Sequence, residues 1–230
     1  GRPGPPEKVL REERTGPAGE RTVRTTVQRG DLNGRFTVAE RSTTRTTQVG
    51  DVLTSETLVE RPSLGGSFEV FEKRAGTETL RPDGVSREVT VHQAGADGGL
   101  RLVARESTEI LREQDRETTK TTRYNTAATG RLTFAEETVS EIERRADGSE
   151  VSLMSVYGVA PAGRPAGDRH LREQQLIERS KGPGGEVVER FSIRRPSLSD
   201  QRLGRFEPVS EIVCTGNCEE DSSGGPRRRR

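Results

Sequence analysis

The sequence has no tryptophan, one methionine, two tyrosines and six phenylalanines, so aromatics make up 3% of its 230 residues and apolar residues 28%. That scarcity excludes a thick hydrophobic core of ordinary globular proportions. No stretch approaches the ~20 apolar residues that span a bilayer, which removes a transmembrane helix from the expectations. The first residues, GRPGPPEK, contain no apolar signal-peptide core. Neither sign of charge dominates, with 38 Lys and Arg against 37 Asp and Glu. There is no net field to draw nucleic acid or an anionic membrane, and few rings on which bases could stack. Two cysteines and two histidines leave little for a metal site or a disulfide framework.

What is present is Thr, Val, Arg, Glu and glycine. High charge with low hydrophobicity is the composition of disordered chains, which bury too little apolar surface to offset the entropy of ordering. Two features oppose that reading here: strand-favouring Thr and Val are abundant, and turn residues recur at fixed spacing. LNGRFTVAE, LGGSFEVFE, ADGGLRLVA and ATGRLTFAE centre on Gly34, Gly66, Gly98 and Gly130, each 32 residues after the last. PAGDRHLRE and RLGRFEPVS follow at intervals of 37, centred on Gly167 and Gly204. Gly4 begins the first unit, so the expectation is about six and a half tandem units starting near 4, 34, 66, 98, 130, 167 and 204. They form one array over 1–220, and 221–230 form a flexible basic tail ending in RRRR.

Inside each unit a second turn stands near the middle: TGPAGE at Thr15–Glu20, QVGD at Gln48–Asp51, RPDG at Arg81–Gly84, then sequences around Asp115, Gly148, Gly184 and Cys214–Cys218. Each unit therefore reads strand, turn, strand, turn, with strands of roughly ten to twelve residues joined by turns too tight for parallel neighbours. The predicted fold class is all-β: an antiparallel meander of long hairpins in a sheet that is open or packed on itself. Phe36 and Val38, Phe68 and Val70, Leu100 and Leu102, and Leu132 and Phe134 alternate with period two. With Phe206 they predict an apolar stripe across one end of the sheet, which the return strands continue through Val89 and Val91, Leu153 and Tyr157, and Phe191 and Ile193. Such a stripe is buried either by the sheet folding on itself or by another copy of the chain. Rows of Thr, Arg and Glu elsewhere stabilise through cross-strand pairs.

The segment RYNTAATGRLTFAEE, Arg123–Glu137, resembles the YD repeats of the large bacterial Rhs and teneurin-type shells, with Tyr124, Asn125, Gly130, Arg131, Leu132 and Thr133 matching the repeat's form. The resemblance implies long β-hairpins laid side by side in a secreted bacterial protein.

No catalytic constellation accompanies the repeats. His92 and His170 stand in different units beside no nucleophile motif, and the acids fall in the strand pattern rather than as a tuned pair. No cofactor is expected. Cys214 and Cys218 flank Thr-Gly-Asn at a spacing that suits a small disulfide closing the last turn, with free thiols or a bond between chains as the alternatives. Asp31-Leu32-Asn33-Gly34 has the opening residues of a calcium loop but lacks its closing glutamate, and a plain turn is the simpler reading. The expectation is a non-enzymatic scaffold that pairs with other copies of itself into a fibre or surface layer. It is extracellular and, beginning at Gly1 rather than Met, mature after removal of a signal peptide. The competing expectation is a monomeric adhesin or a module that binds a surface polysaccharide.

Overall fold

The structure, a computed structural model, describes residues 6–31, 33–159, 169–182, 184–197 and 203–215. They form thirteen strands in one sheet, in chain order from β1 to β13 and antiparallel throughout. The strands are β1 (Glu7–Thr15), β2 (Arg21–Gly30), β3 (Phe36–Val49), β4 (Val52–Pro62), β5 (Phe68–Arg81), β6 (Gly84–Ala94) and β7 (Leu100–Arg112). They continue as β8 (Arg116–Thr126), β9 (Leu132–Arg144), β10 (Glu150–Val159), β11 (Arg169–Lys181), β12 (Val187–Arg194) and β13 (Glu207–Cys214). The only helical element among the described residues is a 3₁₀ turn at Pro17–Gly19.

The turns explain the regularity. At Asp31–Arg35 the first N–H donates to the fifth carbonyl (2.8 Å) and the Gly34 N–H donates to the first (3.1 Å). The same two bonds recur at Ser63–Ser67, Gly95–Gly99 and Ala127–Arg131. This three-residue loop needs a left-handed residue to match the strands' twist, and Gly34, Gly66, Gly98 and Gly130 supply φ of 76°, 81°, 75° and 79°. At the opposite end β3 and β4 are joined by Gly50-Asp51, and β5 and β6 by Pro82-Asp83. There the carbonyls of Asp51, Asp83 and Asp115 accept from the N–H groups of Leu80, Arg112 and Arg144, carrying the ladder one step beyond each turn.

A feature the turn pattern does not announce is a β-bulge on each odd strand from β3 onward. One residue is skipped in the pairing at Ala39, Phe71, Val103, Ala135, Arg172 and Val209. The bulges keep the 32- and then 37-residue spacing of the glycines, five residues behind each. A bulge lengthens one strand against its partner and exchanges the two faces beyond it. The hairpins are staggered as well: β3 pairs with β4 only from Arg41 onward, so Phe36–Glu40 are bonded to β2 alone. The first residues of β5, β7 and β9 are left one-sided in the same way.

The sheet is open. Substantial strand contacts join only consecutive strands, so the self-packed alternative is not what forms. Ala104 is the one buried apolar side chain among the described residues, and no side chain there is completely enclosed. The accessible surface of 17164 Å² compares with roughly 10,000 Å² for a folded monomer of this mass. Both faces meet solvent because the chain lacks the apolar residues to build a second layer.

Candidate interaction surface

The predicted stripe lies on one face. Gln28 faces Val38, Gly30 faces Phe36, Glu60 faces Val70, Pro62 faces Phe68, His92 faces Leu102, Ala94 faces Leu100, and Tyr124 and Thr126 face Phe134 and Leu132. These pairs sit on the staggered hairpin tips beside the glycine turns, so the stripe is stepped. It is half-exposed, with Phe36 at 45% and Leu100 at 40%.

Two expectations for the stripe need correction. Val89, Val91, Phe191 and Ile193 lie on the opposite face, where Val89 and Val91 pair with Glu106 and Ala104, and Phe191 and Ile193 with Ile177 and Gln175. The hairpin register causes this: Ala94 and His92 stand opposite Leu100 and Leu102, so on the unbulged β6 Val91 and Val89 fall one position out of phase, as Ile193 and Phe191 do on β12, where Ser192 faces Pro208. Leu153 and Tyr157 do share the stripe face, opposite Leu176 and Leu171.

Guanidinium groups tend the aromatics. Arg41 lies 3.9 Å over the Phe68 ring and Arg194 4.3 Å over Phe206, while Arg169 sits 5.7 Å from Phe134. Tyr124 meets Phe134 edge-to-face at 6.3 Å. On the opposite face Arg61 covers Phe71 at 3.9 Å. Exposed contacts of this kind are worth about 0.5–1 kcal/mol each and shield the rings from water.

Behind the stripe, buried carboxylates are held by several donors. The buried Glu137 carboxylate accepts from the Thr122 hydroxyl (3.0 Å) and Arg169 (2.8 Å), with Lys120 at 3.6 Å. On the other face Glu72 accepts from Arg74 (2.6 Å) and Gln93 (3.0 Å). Burial pushes its pKa up, but these donors outweigh burial and hold the carboxyl below its ordinary range. A hydrogen bond from Gln175 lowers Glu173 likewise, against opposing burial and helped by Arg195. Bonds from Arg101 and the Gly99 N–H lower Asp97, and the Ser149 hydroxyl and N–H lower Asp147.

The other predicted residues separate. His92 stands on β6 between Lys73 and Leu102, its Nδ1 buried without a hydrogen-bond partner, whereas His170 stands on β11 beside Gly158 on the opposite face. The Asp31 Oδ1 accepts from the N–H groups of both Asn33 (2.8 Å) and Arg35 (2.9 Å), an Asx turn. Gly204 is not left-handed; it follows a bridge between Pro196 and Leu203 in a longer connection than the other turns. Gly4, Gly167, Cys218 and the 221–230 tail lie outside the described residues, and with Cys218 goes the proposed pairing of Cys214. Among the described residues no group of three metal-ligating side chains forms, and no helix is long and apolar enough to cross a membrane.

Two signals were present in the sequence but unused. Asp51, Asp83, Asp115 and Asp147 stand 32 residues apart at the far-end turns. Donors and acceptors also change together 21 residues apart: Arg61 bonds Glu40 and Gln93 bonds Glu72, while Ala104 faces Asn125 where no donor is needed.

No protein-family model matches the chain, and no curated protein does. A crystal structure of a protein with unknown function from Bacteroides fragilis NCTC 9343 is similar at a TM-score of 0.38 and 11% identity, over 61% of this chain and 91% of that one. A likeness that low bears neither on fold nor on function.

Proposed function

We propose that this chain is a structural, non-enzymatic repeat protein that assembles with copies of itself into a filament, fibre or surface layer outside the cell, through its strand edges and its apolar stripe. The observation that carries the reading is a single-layer sheet with an open edge on each side and a half-exposed apolar stripe. Unpaired edge N–H and C=O groups recruit strands unless blocked, and exposed apolar surface favours burial against a neighbour. The far-end turns extend the backbone ladder from one hairpin to the next, a design that favours extension across the sheet over closure. The expected disulfide between Cys214 and Cys218 and the resemblance of Arg123–Glu137 to YD repeats fit an extracellular setting and belong to this proposal.

Size-exclusion chromatography with negative-stain electron microscopy over a rising concentration series tests it. The expected result is concentration-dependent oligomers that image as ribbons or layers; a monomer at every concentration overturns the reading.

A second reading draws on one groove. Thr47, Thr54, Thr77, Thr79, Ser86 and Thr90 line a hydroxyl-rich cavity of about 650 Å³ on the stripe face, a surface on which an extended polysaccharide could lie. It lacks the aromatic platform such ligands favour, which ranks it second. A specific hit on a glycan array, lost in a Thr77→Val/Thr79→Val variant, promotes it over assembly.

A further inference from the structure

The two edges of the described sheet differ in chemistry and match in direction. Odd-numbered strands all run away from the glycine-turn end, and the described count is odd, so β1 and β13 are parallel to each other. In a second copy related by translation, β1 would lie beside β13 of the first with both molecules presenting the same face upward.

Tracing the pairings across the sheet places Lys8 and Leu10 on the stripe face with Glu211 and Val213, and Val9 on the opposite face with Ile212. The apolar members of both edges are open to solvent: Val9 60%, Leu10 43%, Ile212 58% and Val213 54%. We infer that the junction between copies is a parallel strand pair in one register, Ser210–Cys214 along Glu7–Arg11, in which Glu211 meets Lys8, Ile212 meets Val9 and Val213 meets Leu10. This rests on the assembly reading above and names its partner surfaces.

Register follows from charge and face together. Sliding β13 two residues toward the C-terminal end of β1, the smallest shift that keeps the faces aligned, sets Glu211 against Leu10, Ile212 against Arg11 and Val213 against Glu12, and every match is lost. Sliding it two the other way sets Val213 against Lys8. Pairing two β13 edges about Glu211 opposes like charges. The chosen stretch also begins beyond Pro208 and the bulge at Val209, the two features that spoil β13 as an edge. Because a head-to-tail contact of unlike edges does not close, it propagates into a ribbon. Five residue pairs bury less than the ~1,200 Å² typical of stable interfaces, so each junction is weak and the assembly depends on concentration.

The test is a charge exchange in the 230-residue chain, read by sedimentation equilibrium with circular dichroism as a folding control. Lys8 makes no ion pair among the described residues, so Lys8→Glu removes nothing inside the molecule. Glu211→Lys also loses the 2.8 Å pair with Arg190, which the double variant does not recover. Lys8→Glu and Glu211→Lys should each weaken association about tenfold, and the double variant should restore most of it. If the wild-type chain assembles and Lys8→Glu leaves its association unchanged, or if the double variant fails to recover, the junction is wrong while assembly stands. A wild-type monomer at all concentrations removes both.

Discussion

Gly84 and Gly98 each follow an aspartate at a hairpin turn, yet the chain needs them for different reasons. Gly98 has φ of 75° and open space where a Cβ would stand, so Gly98→Ala meets only backbone strain, about 1 kcal/mol. Gly84 has no such φ; its missing side chain lets the Ile110 carbonyl of β7 approach, and a Cβ would run into that backbone. Gly84→Ala must push two strands apart and should cost roughly 2–3 kcal/mol. Urea denaturation followed by circular dichroism should show a clearly lower midpoint for Gly84→Ala than for Gly98→Ala; equal midpoints would contradict the packing argument. The turn glycines were legible because a left-handed residue leaves a compositional mark at fixed spacing. Gly84, required by a neighbour 26 positions away, left no local mark, and neither did the burial of Glu137, which depends on an arginine two strands beyond.

At the scale of elements, charge and hydrogen bonds hold together what a core does not. The Glu72, Glu173, Asp97 and Asp147 carboxyls, and that of Glu13 through its bond from Arg21, all lie below their ordinary range. A group with a depressed native pKa stabilises the fold above its unfolded value, about 4 to 4.5, and loses that contribution as pH falls through the native one. The urea midpoint should therefore be flat between pH 7 and 5 and fall by pH 3; a midpoint unchanged or higher at pH 3 would contradict it. Exposed ion pairs contribute little individually, so the drop should be gradual. The turns from Gly34 to Gly148 could be read because turn chemistry is local, whereas strands expected to have roughly ten to twelve residues run from 8 in β12 and β13 to 14 in β3 and β5. The bulges could not: Ala39, Phe71, Val103 and Ala135 share a position but no chemistry. Nor could the register at each hairpin, which sets Val89, Val91, Phe191 and Ile193 one position out of phase with the stripe.

As a whole, the molecule is a chain of neighbours. Each strand packs on the strands before and after it, so stability is close to a sum of local and nearest-neighbour terms and need not be lost in one step. Native-state hydrogen exchange should give the lowest protection in β1 and β13 and the highest in β5–β9; uniform protection would indicate a cooperative core that the sheet does not have. Openness is the claim on which the rest depends. A compact fold of 230 residues has a radius of gyration of about 17 Å. Thirteen strands about 4.8 Å apart make a sheet nearly 58 Å wide, which raises that radius above about 20 Å. Small-angle X-ray scattering extrapolated to low concentration measures it directly: a value above 20 Å with the scattering of a flat particle is predicted, and a value near 17 Å would mean that the sheet closes on itself.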